Sequence, residues 1–298
     1  MRAHGFRYSK AWGQNFLVDR NVLEKVVWAA ELSPDDHVVE IGPGAGALTV
    51  LLAQAAGHVT AIEIDGRLIP ILKEVTEGLP NVTLIKDDFL AASSREFLVG
   101  LSPPCDKPRG IPVRAARDQD NGDGSLCLKI IGNLPYYITT PIIASLFEPG
   151  ADGSRPAPPE LAVLMVQKEV AERLMSPPGR KAYGAISVLV QYYSEIELIS
   201  TVSKEVFTPK PNVDSAIIRL RPRDLKGDDP EVAARMFKLV RAGFDQRRKT
   251  LKNSLATSGF PAEALAAALE QTGIDPGRRA ETLSPRDFYN LATHPVEA

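Results

Sequence analysis

The chain has 298 residues, 44% of them hydrophobic and 24% charged, and a formal net charge of −2. Such a composition suits a soluble globular protein with one large domain and a smaller one, and it argues against a wholesale polyanion binder. No apolar run approaches the roughly 20 residues that span a bilayer, and the N-terminus lacks a secretory apolar core, so no membrane association is expected. The only cysteines, Cys105 and Cys127, form no CxxC pair and the four histidines are scattered. No metal site is expected, and the cytoplasm is the expected compartment.

Taken in chain order, apolar β-branched runs alternate with helix-like segments. "HVVEIG" (37–42) predicts a strand, "ALTVLLAQAA" (47–56) a helix and "HVTAIEI" (58–64) a second strand. "RLIPILKEVTEG" (67–78) predicts a helix with Pro70 tolerated in its first turn. "VTLIKDD" (82–88), "LCLKIIG" (126–132) and "ELAVLMVQ" (160–167) predict three more strands, with a helix starting at "TPIIASLF". This alternation implies an α/β fold, a doubly wound and mostly parallel Rossmann-like sheet. Residues 102–125 have no hydrophobic period and read as an inserted loop. A linker over 221–230 then leads to Phe237, Val240, Phe244, Leu251 and Leu255 at helical spacing, and to an alanine-rich helix ending at Gly273. The expected organisation is a catalytic domain over 1–225 and an all-helical C-terminal domain over 226–298.

The first strand runs into "EIGPGAGAL", with Glu40, Gly42, Gly44 and Gly46 followed at once by a helix. Glycines here let backbone approach a ligand where a Cβ would collide. Gly42-x-Gly44-x-x-Ala47 also fits a loose dinucleotide fingerprint, so a nicotinamide-binding domain is a competitor. S-adenosyl-L-methionine is favoured, because Glu40 sits two residues before the first glycine, a third glycine follows at Gly46, and acids stand at the tips of successive strands. Glu63 is spaced to accept both ribose hydroxyls, and Asp88 to take the adenine amino group. The fourth strand ends in "GNLPYY". The Asn133 side-chain oxygen and the Leu134 carbonyl can accept the two N–H groups of an exocyclic amine. Pro135 stiffens the loop, and Tyr136 can stack on an extruded base.

Read together, "GQNFLVD", "EIGPGAGALT", "EIDGRL", "DDFL", "GNLPYYITTPII", "QKEVAERL", "KAYGAISVLVQYY", "FTPKPNVDSAIIRL" and "RRKTLKNSL" resemble the ribosomal RNA adenine N6,N6-dimethyltransferase family. They most resemble its bacterial small-subunit members, and the likeness runs from Gly13 to about Leu291. It implies dimethylation of N6 on two adjacent adenines near the 3′ end of small-subunit (16S) ribosomal RNA, with S-adenosyl-L-methionine as cofactor. A role in small-subunit biogenesis follows from the same resemblance, with a pre-30S particle as partner and a monomer as the expected state. The resemblance places Asn15 and Leu17 at the cofactor, beside Gly42, Glu63, Asp88 and Asn133, and sets Phe207 across the target base from Tyr136.

Two alternatives share much of this pattern: a large-subunit dimethylase of the erythromycin-resistance type, and a mainly non-catalytic assembly factor. An intact Asn133–Tyr136 stretch favours chemistry. From Arg235 to Lys252 seven basic residues stand against the single acid Asp245, and within that run Arg247, Arg248 and Lys249 are the expected contacts to RNA phosphates.

Overall fold

The computed structural model describes residues 15–91, 127–147 and 159–296. The expected insert at 102–125 and Cys105 lie outside the described residues. The chain divides into two compact units, one of residues 1–168 and 197–222, the other of 169–196 and 223–298. Residues 169–196, expected to belong with the first 225, thus cluster with the C-terminal helices.

The first unit is built on a seven-stranded sheet. Its strands are β2 (Asp36–Ile41), β3 (His58–Glu63), β4 (Val82–Lys86), β5 (Cys127–Asn133), β6 (Leu161–Gln167), β7 (Ser194–Val202) and β9 (Ser215–Pro222). Their order across the sheet is β4-β3-β2-β5-β6-β9-β7. The pairs β2–β3, β3–β4, β2–β5 and β5–β6 are parallel, and β6–β9 is antiparallel. β6, buried on both faces, is apolar over "LAVLMV", whereas β2, equally buried, carries Asp36, His37 and Glu40. Helices α1 (Arg20–Ala29), α2 (Ala47–Ala55), α3 (Ile69–Val75) and α4 (Thr139–Ser145) accompany the sheet. Leu23, Val26 and Ala29 of α1 and Leu52 of α2 pack with Val38, Val59, Ile131, Val163 and Ile217 in one cluster. Each large aliphatic side chain buried there contributes about 1.5–3 kcal/mol.

The order of strands fixes where a ligand can sit. From β2 the chain winds outward to β3 and β4, then returns to β5 on the other side of β2. Beyond the carboxyl ends of β2 and β5 the crossovers diverge and leave a crevice. A short ribbon closes one side of that crevice: β1 (Phe16–Leu17) pairs antiparallel with β8 (Phe207–Thr208), Leu17 opposite Phe207.

The second unit is mainly helical, with α5 (Lys168–Met175), α6 (Ala185–Tyr193), α7 (Pro230–Asp245), α8 (Leu251–Thr257), α9 (Ala262–Gln271) and α10 (Pro285–Ala292). Asp229 caps α7 ahead of Pro230, Thr250 caps α8, and Ser284 with Asp287 forms a capping box on α10. Gly273, at φ +66°, follows α9 as the sequence predicts. The basic run is not one helix: α7 stops at Asp245 and α8 begins at Leu251, so Arg247, Arg248 and Lys249 occupy the turn between them.

Candidate active site

A cavity of about 370 Å³ opens at the carboxyl ends of β2, β3 and β5. Its walls include Asn15, Leu17, Gly42, Gly44, Glu63, Asn133, Leu134, Pro135 and Tyr136, so nine of the sequence-predicted residues meet there. Gly46, Asp88 and Phe207 are not among its lining residues.

The glycine turn forms the floor. Gly42, Gly44 and Gly46 all have positive φ, from +61° to +84°, a conformation that side chains with a Cβ rarely adopt. A Cβ on Gly42 would meet nothing within 4 Å, whereas one on Gly44 would press on the Phe16 ring at 3.0 Å. Gly46 shapes the turn from outside the cavity: it caps α2, and a Cβ there would approach Leu72 at 3.1 Å. At the tip of β5, Gly132 lets the strands close up, since a Cβ would stand 2.9 Å from the Ile41 carbonyl.

Two acids face this turn from β2 and β3. Glu63 is 5% exposed, and both its oxygens accept backbone N–H groups, Oε2 from Gly44 at 3.1 Å and Oε1 from Asp65 at 2.8 Å. Burial raises its pKa, those hydrogen bonds pull it back, and the Asp65 charge raises it again. Each carboxylate oxygen keeps a second acceptor site for a hydroxyl. Glu40 lies deeper, at 1% exposure, and also lines the cavity. Burial pushes its carboxyl up to about 8; the Thr49 dipole draws it partly back and the Glu63 charge adds to the rise. Glu40 Oε2 and the Thr49 hydroxyl are buried with no partner in hydrogen-bonding geometry among the described residues. Glu40 is not among the residues that the sequence assigns to the cofactor. Its place two residues before Gly42 is nonetheless one of the features by which the sequence favours S-adenosyl-L-methionine over a dinucleotide.

Asp88 stands beside the rim, not in the wall. Its Oδ1 accepts the Leu90 N–H at 2.9 Å, and its charge, after burial, helps raise the pKa of Tyr137, which does line the cavity.

Asn133 is held in one orientation. Its Nδ2 donates to the Asn15 carbonyl at 3.0 Å. A carbonyl only accepts, so the amide nitrogen must face Asn15 and Oδ1 must face away from it. The backbone beyond is pinned as well. Leu134 N–H donates to the Met165 carbonyl at 3.0 Å, while the Pro135 carbonyl accepts from Ile138 N–H at 3.2 Å and Thr139 Oγ1 at 3.0 Å. Leu134 as a whole is 1% exposed and lines the cavity. Phe207 is 3% exposed and packs in the core cluster behind Leu17. In this structure it pairs with Leu17 of β1, which does line the cavity.

A glycine turn, acids on consecutive strand tips and an oriented amide form a binding cleft for a polar adenosine-like ligand. Comparison with known proteins agrees. Residues 5–294 match the family described as ribosomal RNA adenine dimethylase. The chain belongs to that family. A ribosomal RNA small subunit methyltransferase A of Bacillus thuringiensis (strain Al Hakam) is 44% identical over 295 residues, covering 97% of this chain and 91% of that protein. Its counterpart in Bacillus mycoides (strain KBAB4) is 43% identical over 293 residues, with the same coverage. A crystal structure of a dimethyladenosine transferase from Plasmodium falciparum aligns with TM-score 0.68 at 26% identity, covering 93% of this chain and 95% of that one. The 23S rRNA methyltransferase ErmE aligns with TM-score 0.64 at 30% identity, covering 94% and 98%.

The dimethylase is thus an enzyme of the Rossmann-like class that uses S-adenosyl-L-methionine. Its cavity fits that cofactor on structural grounds. A Cβ on Gly42 would meet nothing within 4 Å, the Glu63 oxygens keep open acceptor sites, and Glu40 Oε2 is buried without a hydrogen-bond partner among the described residues.

The positions assigned to RNA phosphates behave differently from one another. Arg247 donates from Nη2 to the carbonyls of Lys181 at 3.0 Å and Tyr183 at 2.9 Å, and to Glu281 Oε2 at 3.2 Å. It ties together three segments of the second unit. Arg248 and Lys249 are exposed, and among the described residues Lys249 Nζ makes only a long 3.4 Å contact with Thr257. Asp36, Cys127 and Glu160 approach one another at the amino ends of β2 and β5, where the Lys129 ammonium pairs with Asp36 at 3.0 Å.

Proposed function

We propose that the protein dimethylates N6 of two adjacent adenines near the 3′ end of small-subunit ribosomal RNA, acting on an assembling subunit in the cytoplasm as a monomer. The reading is carried by the oriented Asn133 amide, set beside the glycine turn at the crevice of the sheet. The small-subunit assignment draws on the 43–44% identity to proteins so named.

The adenine amine is a poor nucleophile because its lone pair is delocalised into the ring. Asn133 Oδ1 and the Leu134 carbonyl are assigned to its two N–H groups, which turns the lone pair toward the donor. Both acceptors strengthen their hold as positive charge develops on nitrogen, which is selective stabilisation of the transition state. Tyr136 supplies a stacking face for the extruded base, and the Pro135 turn holds that face in place. When bound, S-adenosyl-L-methionine supplies a methyl already activated on a sulfonium. The protein's remaining task is alignment. Gly42, Gly44 and Glu63, with Asn15 and Leu17 on the ribbon, are assigned to the cofactor, Asp88 to its adenine end, and Gly46 to the turn itself. Residues 1–168 with 197–222 are assigned to catalysis, and the helical unit with Arg248 and Lys249 to the RNA.

Unmethylated small and large subunits, each incubated with labelled S-adenosyl-L-methionine and mapped for methyl groups, test the proposal. Two dimethyladenines in the small subunit support it. Label confined to the large subunit, or none at all, rejects it.

A further inference from the structure

The Tyr136 hydroxyl has no use in the chemistry just described, since stacking needs only the ring. Yet it has a defined partner: Tyr136 Oη and Ser215 Oγ are 2.6 Å apart, and either can donate. Ser215 is the first residue of β9 and fully buried, and it stands opposite Gln167 of β6 in the sheet register. Its neighbour Asp214 is fixed as well, accepting Lys168 N–H at its carbonyl and Lys204 N–H at Oδ1, each at 3.0 Å.

We infer that Ser215 is a positioning residue for methyl transfer, holding the Tyr136 ring at the tilt a flipped base must meet. The inference rests on the reading that Tyr136 stacks on the target adenine. The main chain before Tyr136 is pinned by Leu134 N–H on the Met165 carbonyl, and that after it by Ile138 N–H and Thr139 Oγ1 on the Pro135 carbonyl, so the ring torsions are the freedom left in this wall of the cavity. A hydrogen bond at the far end of the ring removes that freedom, because the hydroxyl lies at the greatest lever arm from Cα. Its anchor belongs to the rigid sheet, three strands from β2, so the ring is referred to the same frame that carries the glycine turn. Burial raises the Tyr136 pKa, which keeps the hydroxyl protonated through the physiological range. The bond shapes the substrate's pose without touching the reacting atoms. Removing it should therefore change turnover and not cofactor binding.

The test compares Ser215→Ala, Tyr136→Phe, the double variant and Tyr136→Ala on unmethylated small subunits. Ser215→Ala and Tyr136→Phe should each lower kcat on the order of tenfold, the scale of one missing hydrogen bond at a positioned group. The KM for the subunit and the calorimetric affinity for S-adenosyl-L-methionine should stay within about twofold of wild type. The double variant should be no slower than either single one, because both remove the same bond. Tyr136→Ala should be slower by a much larger factor. A normal kcat in Tyr136→Phe, with Tyr136→Ala inactive, overturns the positioning role and leaves the stacking reading intact. A near-normal rate in Tyr136→Ala overturns the stacking reading itself. Should Ser215→Ala fold poorly, Tyr136→Phe removes the same bond from the half-exposed side and still decides the matter.

Discussion

Asn133 and Asn15, 118 residues apart in sequence, are joined by a 3.0 Å hydrogen bond from the side-chain amide of one to the main-chain carbonyl of the other. That bond couples the tip of β5 to the ribbon closing the cavity, and it decides which atom of Asn133 is left for substrate. Asn133→Ala removes the acceptor where charge develops and should slow single-turnover methylation on the order of a hundredfold or more. Asn133→Asp keeps an acceptor but sets a carboxylate oxygen against the Asn15 carbonyl. It should also be slow, and should weaken cofactor binding through the displaced ribbon. Rates within a few-fold of wild type for both variants would remove Asn133 from the chemistry.

Glu40 should make cofactor binding pH-dependent. Its folded pKa of about 8 lies above the ordinary 4.5, with burial as the main cause. Below the ordinary value both folded and unfolded chains hold the proton. Between about 4.5 and 8 only the folded chain does, so this group's stabilising contribution declines as pH rises and is gone above the folded value. Glu40→Gln should therefore gain stability relative to wild type as pH increases across that window, followed by thermal melts. A cationic ligand in the cavity favours the ionised carboxylate, so binding should release a proton near pH 7. Calorimetry in two buffers of different ionisation enthalpy reads that release. Equal heats in the two buffers, with Glu40→Gln unchanged, would show that the carboxyl does not respond to the ligand.

The parallel strands were legible as short β-branched apolar runs alternating with helical segments, and β6 also because burial on both faces leaves it an unbroken apolar run. β2, β3, β4, β5 and β6 each lie within two residues of the predicted bounds. The glycine turn and the Asn133 loop were legible for a different reason, since positive φ and a rigid proline restrict residue choice. What escaped was set by partners distant in sequence. β1 and β8 are two residues each, too short for any period, and exist because Leu17 meets Phe207 across the ribbon. β9 inserts between β6 and β7, a placement that no local pattern encodes. Phe207 is assigned to the base by its motif, and an apolar ring paired with Leu17 in the core cluster carries no local signal that separates stacking from packing. The break between α7 and α8 was hidden because the hydrophobic positions continue across it, while Thr250 starts a new cap.

Lys129 and Asp36 form an ion pair with 5% and 4% side-chain exposure, far from the cavity at the amino ends of β5 and β2. Asp36 also accepts from Ser33 N–H at 2.6 Å and from the Ser33 hydroxyl, and Lys129 donates to the Glu31 carbonyl at 2.6 Å. Truncating one partner leaves a buried charge without its counterion, at a cost of about 3–5 kcal/mol. Lys129→Met should accordingly lower the melting temperature by many degrees. Methylation by the fraction still folded at low temperature should be near normal. A melting temperature close to wild type would mean that water reaches the carboxylate once the lysine is gone.

The Arg247, Arg248 and Lys249 turn should separate into a structural and an electrostatic part. Arg247 satisfies the carbonyls of Lys181 and Tyr183 and pairs with Glu281, so Arg247→Gln should cost about 1–3 kcal/mol of stability. Half of its side chain is open to solvent, which places the expected value at the low end of that range. Arg248 and Lys249 point their charge outward with little internal to hold them. Arg248→Gln with Lys249→Gln should leave the melt unchanged and flatten the salt dependence of binding to the small subunit, by roughly 0.7–0.9 log units for each phosphate no longer neutralised. Affinity for S-adenosyl-L-methionine, whose assigned residues all lie in the other unit, should be the same in every variant. Salt titrations of subunit binding alongside thermal melts make the distinction. If Arg247→Gln flattens the salt slope without changing the melt, the arginine is a phosphate ligand after all and its three internal bonds are dispensable.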